Sequence, residues 1–253
     1  MLIQPILDKL GALKLVGMRE GVREQMENVA YKQLSFEERL GMLLDREWAL
    51  RQTRKQTRRM RVARFREAAV IEDFDFSAAR GLDRSQVLTL TQEDWIRRHL
   101  NIIITGPTGA GKTYLACALG QAACRNGFSV RYFQISKLLQ KLTYARAEGS
   151  SPKLLETLAK TQLLVIDDWL RNPLGEAQTP DLLEILEDRY GRASTILSTQ
   201  IPVADWHDRL GNATLSDAVM DRIIHNAYRL ELSGESMRKR RSLLTQSGHL
   251  GVE

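Results

Sequence analysis

The stretch NIIITGPTGAGKT occupies residues 101–113 and decides the fold of this chain of 253 residues. Apolar and β-branched residues lead directly into a glycine-rich loop, and a segment rich in alanine and leucine follows at once. A buried strand, a glycine loop and a helix start in this order are the setting of a phosphate-binding P-loop. The sequence therefore predicts that a nucleoside triphosphate binds at this turn.

Each residue type in the loop has a physical reason to be there. Glycines let the backbone adopt positive φ and turn its N–H groups toward phosphate oxygens, and the helix N-terminus adds unpaired donors. Lys112 is expected to reach the β- and γ-phosphates, and the Thr113 hydroxyl to ligate Mg²⁺. With ATP and Mg²⁺ as cofactors, the predicted contacts are Gly106, Pro107, Thr108, Gly109, Ala110, Gly111, Lys112, Thr113 and Tyr114.

Composition sets broad limits on function. An apolar content of 43% suits a globular protein, and a net charge of +6 weakly favours a polyanionic partner. We see no signal peptide and no run of 18 apolar residues, so we expect a cytoplasmic protein without a membrane segment. Cys117 and Cys124 are expected to be buried packing residues in a reducing compartment.

Residues 1–70 predict a small all-helical domain that precedes an ATPase domain at 71–253. Apolar residues between positions 2 and 15 recur at helical spacing. Gly17 and Gly21 predict a break before a second helix. Ser35 and Glu38 form the pattern of a capping box, which opens a third helix.

That third helix is expected to continue into residues 51–66, where eight of sixteen residues are Arg or Lys and none is acidic. One interpretation is a solvated basic helix. The other is contact with phosphates, which the lack of acidic partners favours because such a run repels itself. Binding of this kind is salt-dependent and carries no sequence specificity. The predicted contacts to double-stranded DNA are Arg51, Arg54, Lys55, Arg58, Arg59 and Arg61.

Phe74 and Phe76 lie in the junction ahead of the P-loop. They fit two interpretations equally well. They pack between the domains, or they flank the nucleotide base.

Two later strands end in polar residues. An apolar run at 163–166 leads into Asp167 and Asp168, which is typical of a buried parallel strand that carries charge at its carboxyl end. Asp167 is expected to hold the Mg²⁺ shell and Asp168 to act as general base. A second strand ends at Thr199 and Gln200, either of which could contact the γ-phosphate or the attacking water. The alternative for both strands is a simple cap of the strand end.

With these motifs in order, the chain resembles the IstB-like helper ATPases of insertion-sequence transposition, AAA+ relatives of the DnaC helicase loaders. The resemblance implies an α/β fold with a central parallel sheet flanked by helices, after a helical N-terminal domain. The strings that carry it are LSFEERL at 34–40, GPTGAGKT at 106–113, LLVIDDW at 163–169, DLLEILEDRY at 181–190, DR at 221–222 and GESMR at 234–238.

The resemblance also implies roles for single residues. Arg222 matches the arginine finger that reaches the γ-phosphate of a neighbouring subunit. Arg238 matches the second sensor arginine, which acts in its own subunit, and Gln200 matches the first sensor. Members of this family assemble on DNA as ATP-bound oligomers, recruit and stimulate a transposase, and use ATP hydrolysis to govern target choice.

One departure from the wider AAA+ pattern is Asp168, which stands where glutamate is usual. We expect hydrolysis that is slow and dependent on assembly. A helicase loader is the alternative of the same class. A small-molecule kinase would have no use for the basic run or for paired acids, and a DNA-binding scaffold with a structural nucleotide is kept open by Asp168.

Overall fold

The computed structural model describes residues 3–76, 81–175, 177–234 and 236–237. The chain forms two compact units, Met1–Arg58 and Arg59–Glu253. Residues 59–70, which the sequence assigned to the helical domain, belong to the second unit, where Ala63 and Ala69 are buried in the hydrophobic core. No helix of the described residues is long and apolar enough to cross a membrane.

The first unit is helical. Its elements are α1 (Gln4–Ala12), α2 (Val16–Glu27), a 3-10 helix (Val29–Gln33) and the first part of α3 (Phe36–Ala63). The predicted capping box is confirmed: the Ser35 N–H donates to Glu38 Oε2 at 2.8 Å, and the Glu38 N–H donates to Ser35 Oγ at 3.2 Å. These two bonds satisfy N–H groups that a helix start leaves without partners.

The predicted break at Gly17 and Gly21 is wrong, because α2 runs through both glycines. A Cβ atom on Gly17 would lie 2.8 Å from the Cα of Glu47, and one on Gly21 would lie 2.7 Å from Cδ2 of Leu43. The Glu47 carboxylate also accepts the Gly17 N–H at 2.7 Å. The glycines therefore allow α2 and α3 to pack closely, at a cost in helix propensity that this contact offsets.

The second unit is an α/β domain, as predicted. The five strands of its described residues are all parallel and lie in the order β2-β3-β4-β1-β5. The remaining elements in chain order are a 3-10 helix (Ile71–Asp73), α4 (Arg84–Leu90), α5 (Asp94–Arg97), β1 (Asn101–Thr105), α6 (Lys112–Arg125), β2 (Val130–Gln134), α7 (Ile135–Ala147), α8 (Ser151–Ala159), β3 (Leu163–Asp167), α9 (Gln178–Arg189), β4 (Ser194–Thr199), a 3-10 helix (Val203–Asp205), α10 (Trp206–Arg209), α11 (Ala213–Ile224) and β5 (Ala227–Glu231).

Alternation along the strands divides the core into two layers. Ile102 and Ile104 pack into one cluster together with the apolar residues of α6, and Ile103 packs into the other. This is the pattern of a parallel sheet that is covered on both faces. Cys117 and Cys124 are free thiols buried on α6, as predicted, and burial raises their pKa values to about 11 and about 12.

The parallel arrangement places the carboxyl ends of β1, β3 and β4 side by side. The P-loop follows β1. Asp167 is the last residue of β3 and Asp168 follows it, and Gln200 follows β4. Ligands of open parallel sheets bind at this edge. The fold therefore brings the separate sequence motifs to one place.

Candidate nucleotide and hydrolysis site

The P-loop has backbone geometry that only glycine fits. Gly106, Gly109 and Gly111 have φ values of 146°, 84° and 101°. A Cβ atom on Gly106 would lie 2.3 Å from the carbonyl oxygen of Leu232, and one on Gly109 would lie 2.2 Å from Oγ of Ser236. Gly111 precedes α6 and no side chain caps that helix. The first N–H groups of α6 thus remain oriented for an anion.

Lys112 lies against the same loop. Its Nζ donates to the carbonyl oxygens of Gly106 at 2.8 Å and Pro107 at 2.9 Å. These bonds hold the ammonium group beside the loop interior, where a phosphate oxygen would be recognised by its charge.

Asp167 is the buried centre of the site, and three hydroxyl groups converge on it. Its side chain is 1% exposed. Thr113 Oγ1 donates to Oδ2 at 2.9 Å, Tyr132 OH donates to Oδ2 at 2.6 Å, and Ser198 Oγ donates to Oδ1. Burial and then the neighbouring carboxylate raise the pKa of Tyr132 far above its usual value, so the phenol remains a donor. Such donors stabilise a carboxylate in the core.

Sequence reasoning named Thr113 and Asp167 but missed Tyr132 and Ser198. The residues of β2 and β4 that face β3 follow from strand order, which the sequence pattern alone does not fix. The strand order places β3 between these two strands.

Asp168 follows the end of β3 in the left-handed region, with φ of 56°. Asp and Asn tolerate this region better than most residues, because their short polar side chains bond locally. Here the Gln134 amide donates to Asp168 Oδ2 at 2.9 Å, and Arg171 Nη1 lies 4.0 Å from Oδ1. Asp168 lines one cavity with Lys112 and Gln200. A carboxylate held in this way can orient or deprotonate a water molecule.

Arg66 also enters this cavity, which sequence reasoning did not predict. Its Nη1 lies 3.8 Å from Oδ2 of Asp167 and 3.7 Å from Oδ2 of Asp168. The segment that carries Arg66 packs on α6, because Gly120 of that helix leaves room for the Phe65 ring. A Cβ atom on Gly120 would lie 2.6 Å from Cε1 of Phe65. In the sequence Arg66 is one of many arginines in the basic run, and nothing distinguishes it there.

The two polar residues after β4 differ in what they contact. Gln200 is exposed and its Oε1 accepts the Thr108 hydroxyl at 2.6 Å, so it lies against the P-loop. Thr199 Oγ1 donates to the Trp169 carbonyl at 2.6 Å and accepts the Ile201 N–H at 3.0 Å. The Thr199 hydroxyl therefore donates its one proton within the strand end and has none to offer a phosphate oxygen. Of the two predicted contacts, this geometry favours Gln200 and does not favour Thr199.

Arg222 lies at the opposite end of β1 from the P-loop. Its carbonyl accepts the side-chain amide of Asn101, the first residue of β1, at 3.4 Å, and its Nη2 donates to Glu187 Oε1 at 3.0 Å. The structure therefore does not bring Arg222 to the P-loop of its own chain. Arg238 lies outside the described residues.

A second cavity of about 150 Å³ adjoins the P-loop beside Lys112 and Thr113. Phe74 and Tyr114 line it, with ring centroids 6.1 Å apart. Phe76 is not in the lining and packs edge-on against Phe74 at 4.9 Å. The position of Phe74 agrees with contact to a nucleotide base, whereas Phe76 packs behind it.

The residues present fit ATP with Mg²⁺. The Thr113 hydroxyl and the Asp167 carboxylate supply oxygen atoms, which Mg²⁺ prefers. Within residues 3–76, 81–175, 177–234 and 236–237 there is no cluster of three or more His, Cys, Asp or Glu that could hold a metal ion. A Mg²⁺ ion held here would complete its shell with water and phosphate oxygens, as is usual in ATPases.

Most of the predicted DNA contacts are exposed side chains. All are exposed except Arg59, which is half-buried. Arg51 pairs with Glu47 at 2.7 Å, and among the described residues the other five form no ion pair with a carboxylate. Arg59 and Arg61 belong to the second unit, and the other four belong to the first.

Comparison with known proteins agrees with these features. The model of the IstB-like ATP binding protein family matches residues 8–245. An insertion sequence ATP-binding protein of Sinorhizobium fredii is 49% identical over 239 residues, which cover 94% of this chain and 98% of that protein. The IS21 ATP-binding protein of Pseudomonas aeruginosa is 33% identical, and the match covers 90% of this chain and 86% of that protein.

Solved structures resemble the chain in fold. The crystal structure of the DnaC helicase loader has a TM-score of 0.52 at 22% identity, covering 66% of this chain and 99% of that one. AMPPCP-bound DnaA from Aquifex aeolicus has a TM-score of 0.55 at 19% identity, covering 75% of this chain and 58% of that one. At these identities the likeness shows the fold alone.

Proposed function

This chain belongs to the family of IstB-like ATP-binding proteins, and from that premise we propose that it hydrolyses ATP while assembled on duplex DNA and thereby serves a transposase. ATP binds at the P-loop with Mg²⁺. Assembly on DNA precedes transposase recruitment, and slow hydrolysis ends the assembled state and so governs the choice of target DNA.

One observation carries the enzymatic part of this proposal. Asp168 lies in the cavity of Lys112 and Gln200, held by the Gln134 amide at 2.9 Å. A protein that only stores a nucleotide has no need of a second, oriented carboxylate beside the first. This arrangement supports a general base and argues against the scaffold with a structural nucleotide.

The partner assignment depends on the relatives. Those that match nearly the whole chain, at 49% and 33% identity, are named for insertion sequences. The helicase loader covers only 66% of this chain at 22% identity. A transposase is therefore the partner we propose.

Two features support assembly on DNA. Arg54, Lys55 and Arg58 are exposed and form no ion pair within the described residues, so an external anion would relieve their mutual repulsion. Arg222 lies at the far end of β1 from its own P-loop. An arginine at that position is suited to contact the nucleotide of a neighbouring subunit.

The variant Lys112→Ala tests the link between ATP and assembly. It removes the charge that lies beside the phosphate loop, so we expect loss of ATP binding and of oligomers on DNA. Fluorescent ATP binding and electron microscopy with duplex DNA, in ATP and in ADP, measure the two effects. Lys153→Ala, an exposed lysine on α8, is the control. Oligomers that persist on DNA without nucleotide would contradict ATP-gated assembly.

A triple variant tests the DNA surface of the basic run. We expect Arg54→Ala, Arg58→Ala and Arg61→Ala together to weaken binding to every DNA sequence and to reduce the salt slope by roughly one unit for each lost phosphate contact. Titration of duplexes of unrelated sequence at several salt concentrations measures both. An unchanged slope would move the DNA surface elsewhere, for example to residues 238–241.

A further inference from the structure

A basic groove lies in the second unit, along the edge strand β2. Its volume is about 360 Å³, and its charged lining residues are Arg61, Arg64, Arg131 and Lys141. They come from the end of α3 and the residue after it, from β2 and from α7. Arg61 was among the DNA contacts predicted from the sequence and Arg64 lies in the same basic run, whereas Arg131 and Lys141 are far from that run along the chain.

The three segments that meet at this groove have an unusual charge composition. Residues 59–66 contribute four arginines, β2 contributes one, and α7 contributes two lysines and an arginine, while none of the three contains Asp or Glu. These eight charges exceed the net charge of +6 of the whole chain. Outside these three segments the chain therefore carries a net negative charge, and four of the eight cations line the groove.

No described carboxylate neutralises the groove cations. In the part of the chain that the structure describes, none of the four pairs with a carboxylate. The Lys141 ammonium lies 5.7 Å from the centre of the Phe133 ring. Partial burial and then the charges of Arg131 and Arg64 lower the pKa of Lys141. Converging like charges of this kind cost free energy unless an anion binds between them.

We propose that this groove binds the phosphate backbone of duplex DNA, so that the ATPase unit has its own DNA site beside β2. The inference rests on the proposed function and deepens it. The groove is open and its polar lining is cationic, which suits a backbone of regularly spaced charges. Phe133 is half-buried against the hydrophobic core, with the Lys141 ammonium 5.7 Å from its ring centre, which makes it a poor platform for a stacked base.

The double variant Arg131→Ala/Lys141→Ala tests this site without altering the α3 run. We expect weaker binding to duplexes of unrelated sequence, and a slope of log affinity against log salt that falls by about 1 to 2. Fluorescence anisotropy with full-length protein in ATP measures both. Arg131→Lys/Lys141→Arg keeps the charge and is expected to restore the slope. Arg97→Ala/Arg98→Ala is the control, because each of these exposed arginines pairs with an acid on its own turn.

The outcomes separate the groove from the proposed function. If Arg131→Ala/Lys141→Ala leaves the salt slope unchanged while Arg54→Ala/Arg58→Ala reduces it, the groove is not a DNA site. The proposed function is then unaffected. If the wild-type protein binds no duplex in ATP, the proposed function itself fails. Binding of inorganic phosphate identifies the other source of the anion: if wild type and variant bind duplex equally in chloride while only the wild type binds inorganic phosphate, the groove is a site for free phosphate and not for DNA.

Discussion

Replacing Arg222 by alanine, and mixing this variant with Asp168→Asn protein, tests whether one subunit completes the site of the next. Arg222 contacts Asn101 at the start of β1, and the P-loop follows the end of that strand. The four steps between the five residues of β1, at about 3.3 Å each, separate the two ends by roughly 13 Å. The Arg222 guanidinium also binds Glu187, away from the loop. Its own chain offers it no route to the phosphates.

The magnitudes follow from this geometry. An arginine supplied by a neighbour contributes about 10³ to 10⁵ in rate, so Arg222→Ala is expected to bind ATP normally and lose nearly all hydrolysis. Asp168→Asn keeps its P-loop and its Arg222, so it is expected to bind ATP and assemble but to hydrolyse little. In an equal mixture that assembles at random, about one quarter of neighbouring pairs place an intact Asp168 beside an intact Arg222. The mixture should therefore regain about a quarter of the wild-type rate.

Phosphate release with saturating duplex DNA measures the rate, and fluorescent ATP binding confirms that Arg222→Ala retains nucleotide. Each variant alone, at the total protein concentration of the mixture, gives the background. A mixture no faster than the mean of the two variants would refute complementation between subunits. Arg222→Ala with an undiminished rate would remove Arg222 from the mechanism altogether.

Two further predictions concern the acids. Tyr132→Phe removes a buried donor to Asp167 and should lower the free energy of unfolding by about 1.5 to 3 kcal/mol. Urea denaturation without nucleotide measures this change. An unchanged midpoint would show that this hydrogen bond contributes nothing to stability. Asp168→Asn keeps the shape but not the charge, so hydrolysis should fall by about 10² to 10⁴ while ATP affinity is retained. Normal turnover by Asp168→Asn would exclude Asp168 as the base.

The parts of the site that the sequence predicted correctly are local. A P-loop is one continuous string, so its strand, glycine loop and helix are read together, and the structure has β1, the positive φ values and α6 in that order. The central parallel sheet was implied by the resemblance to the IstB-like family, and the apolar run at 163–166 predicted one buried parallel strand of it. The Ser35–Glu38 capping box also depends only on neighbours in the chain.

What the sequence could not provide depends on distant segments meeting. Tyr132 and Ser198 look like ordinary strand residues until the strand order places both beside Asp167. Gly17 and Gly21 were misinterpreted because the sequence alone does not distinguish a glycine that ends a helix from one that allows close helix packing. The partner helix decides between them, and its contacting residues, Glu47 and Leu43, each lie more than twenty residues beyond the glycine that they contact.

Residues 59–66 place the groove and the hydrolysis site on one short stretch of backbone. Arg61 and Arg64 line the groove, and the Nη1 atom of Arg66 lies within 4 Å of a carboxylate oxygen of both Asp167 and Asp168. Positive charge at that distance acts on both acids at once, since Coulomb energy in a partly buried site is several times larger than in water. If the groove holds DNA, as we propose, DNA contact and acid placement share the same eight residues. Coupling between DNA binding and ATP hydrolysis then needs no pathway through the sheet. A shift of this one segment moves Arg61 and Arg64 in the groove together with Arg66 beside the acids.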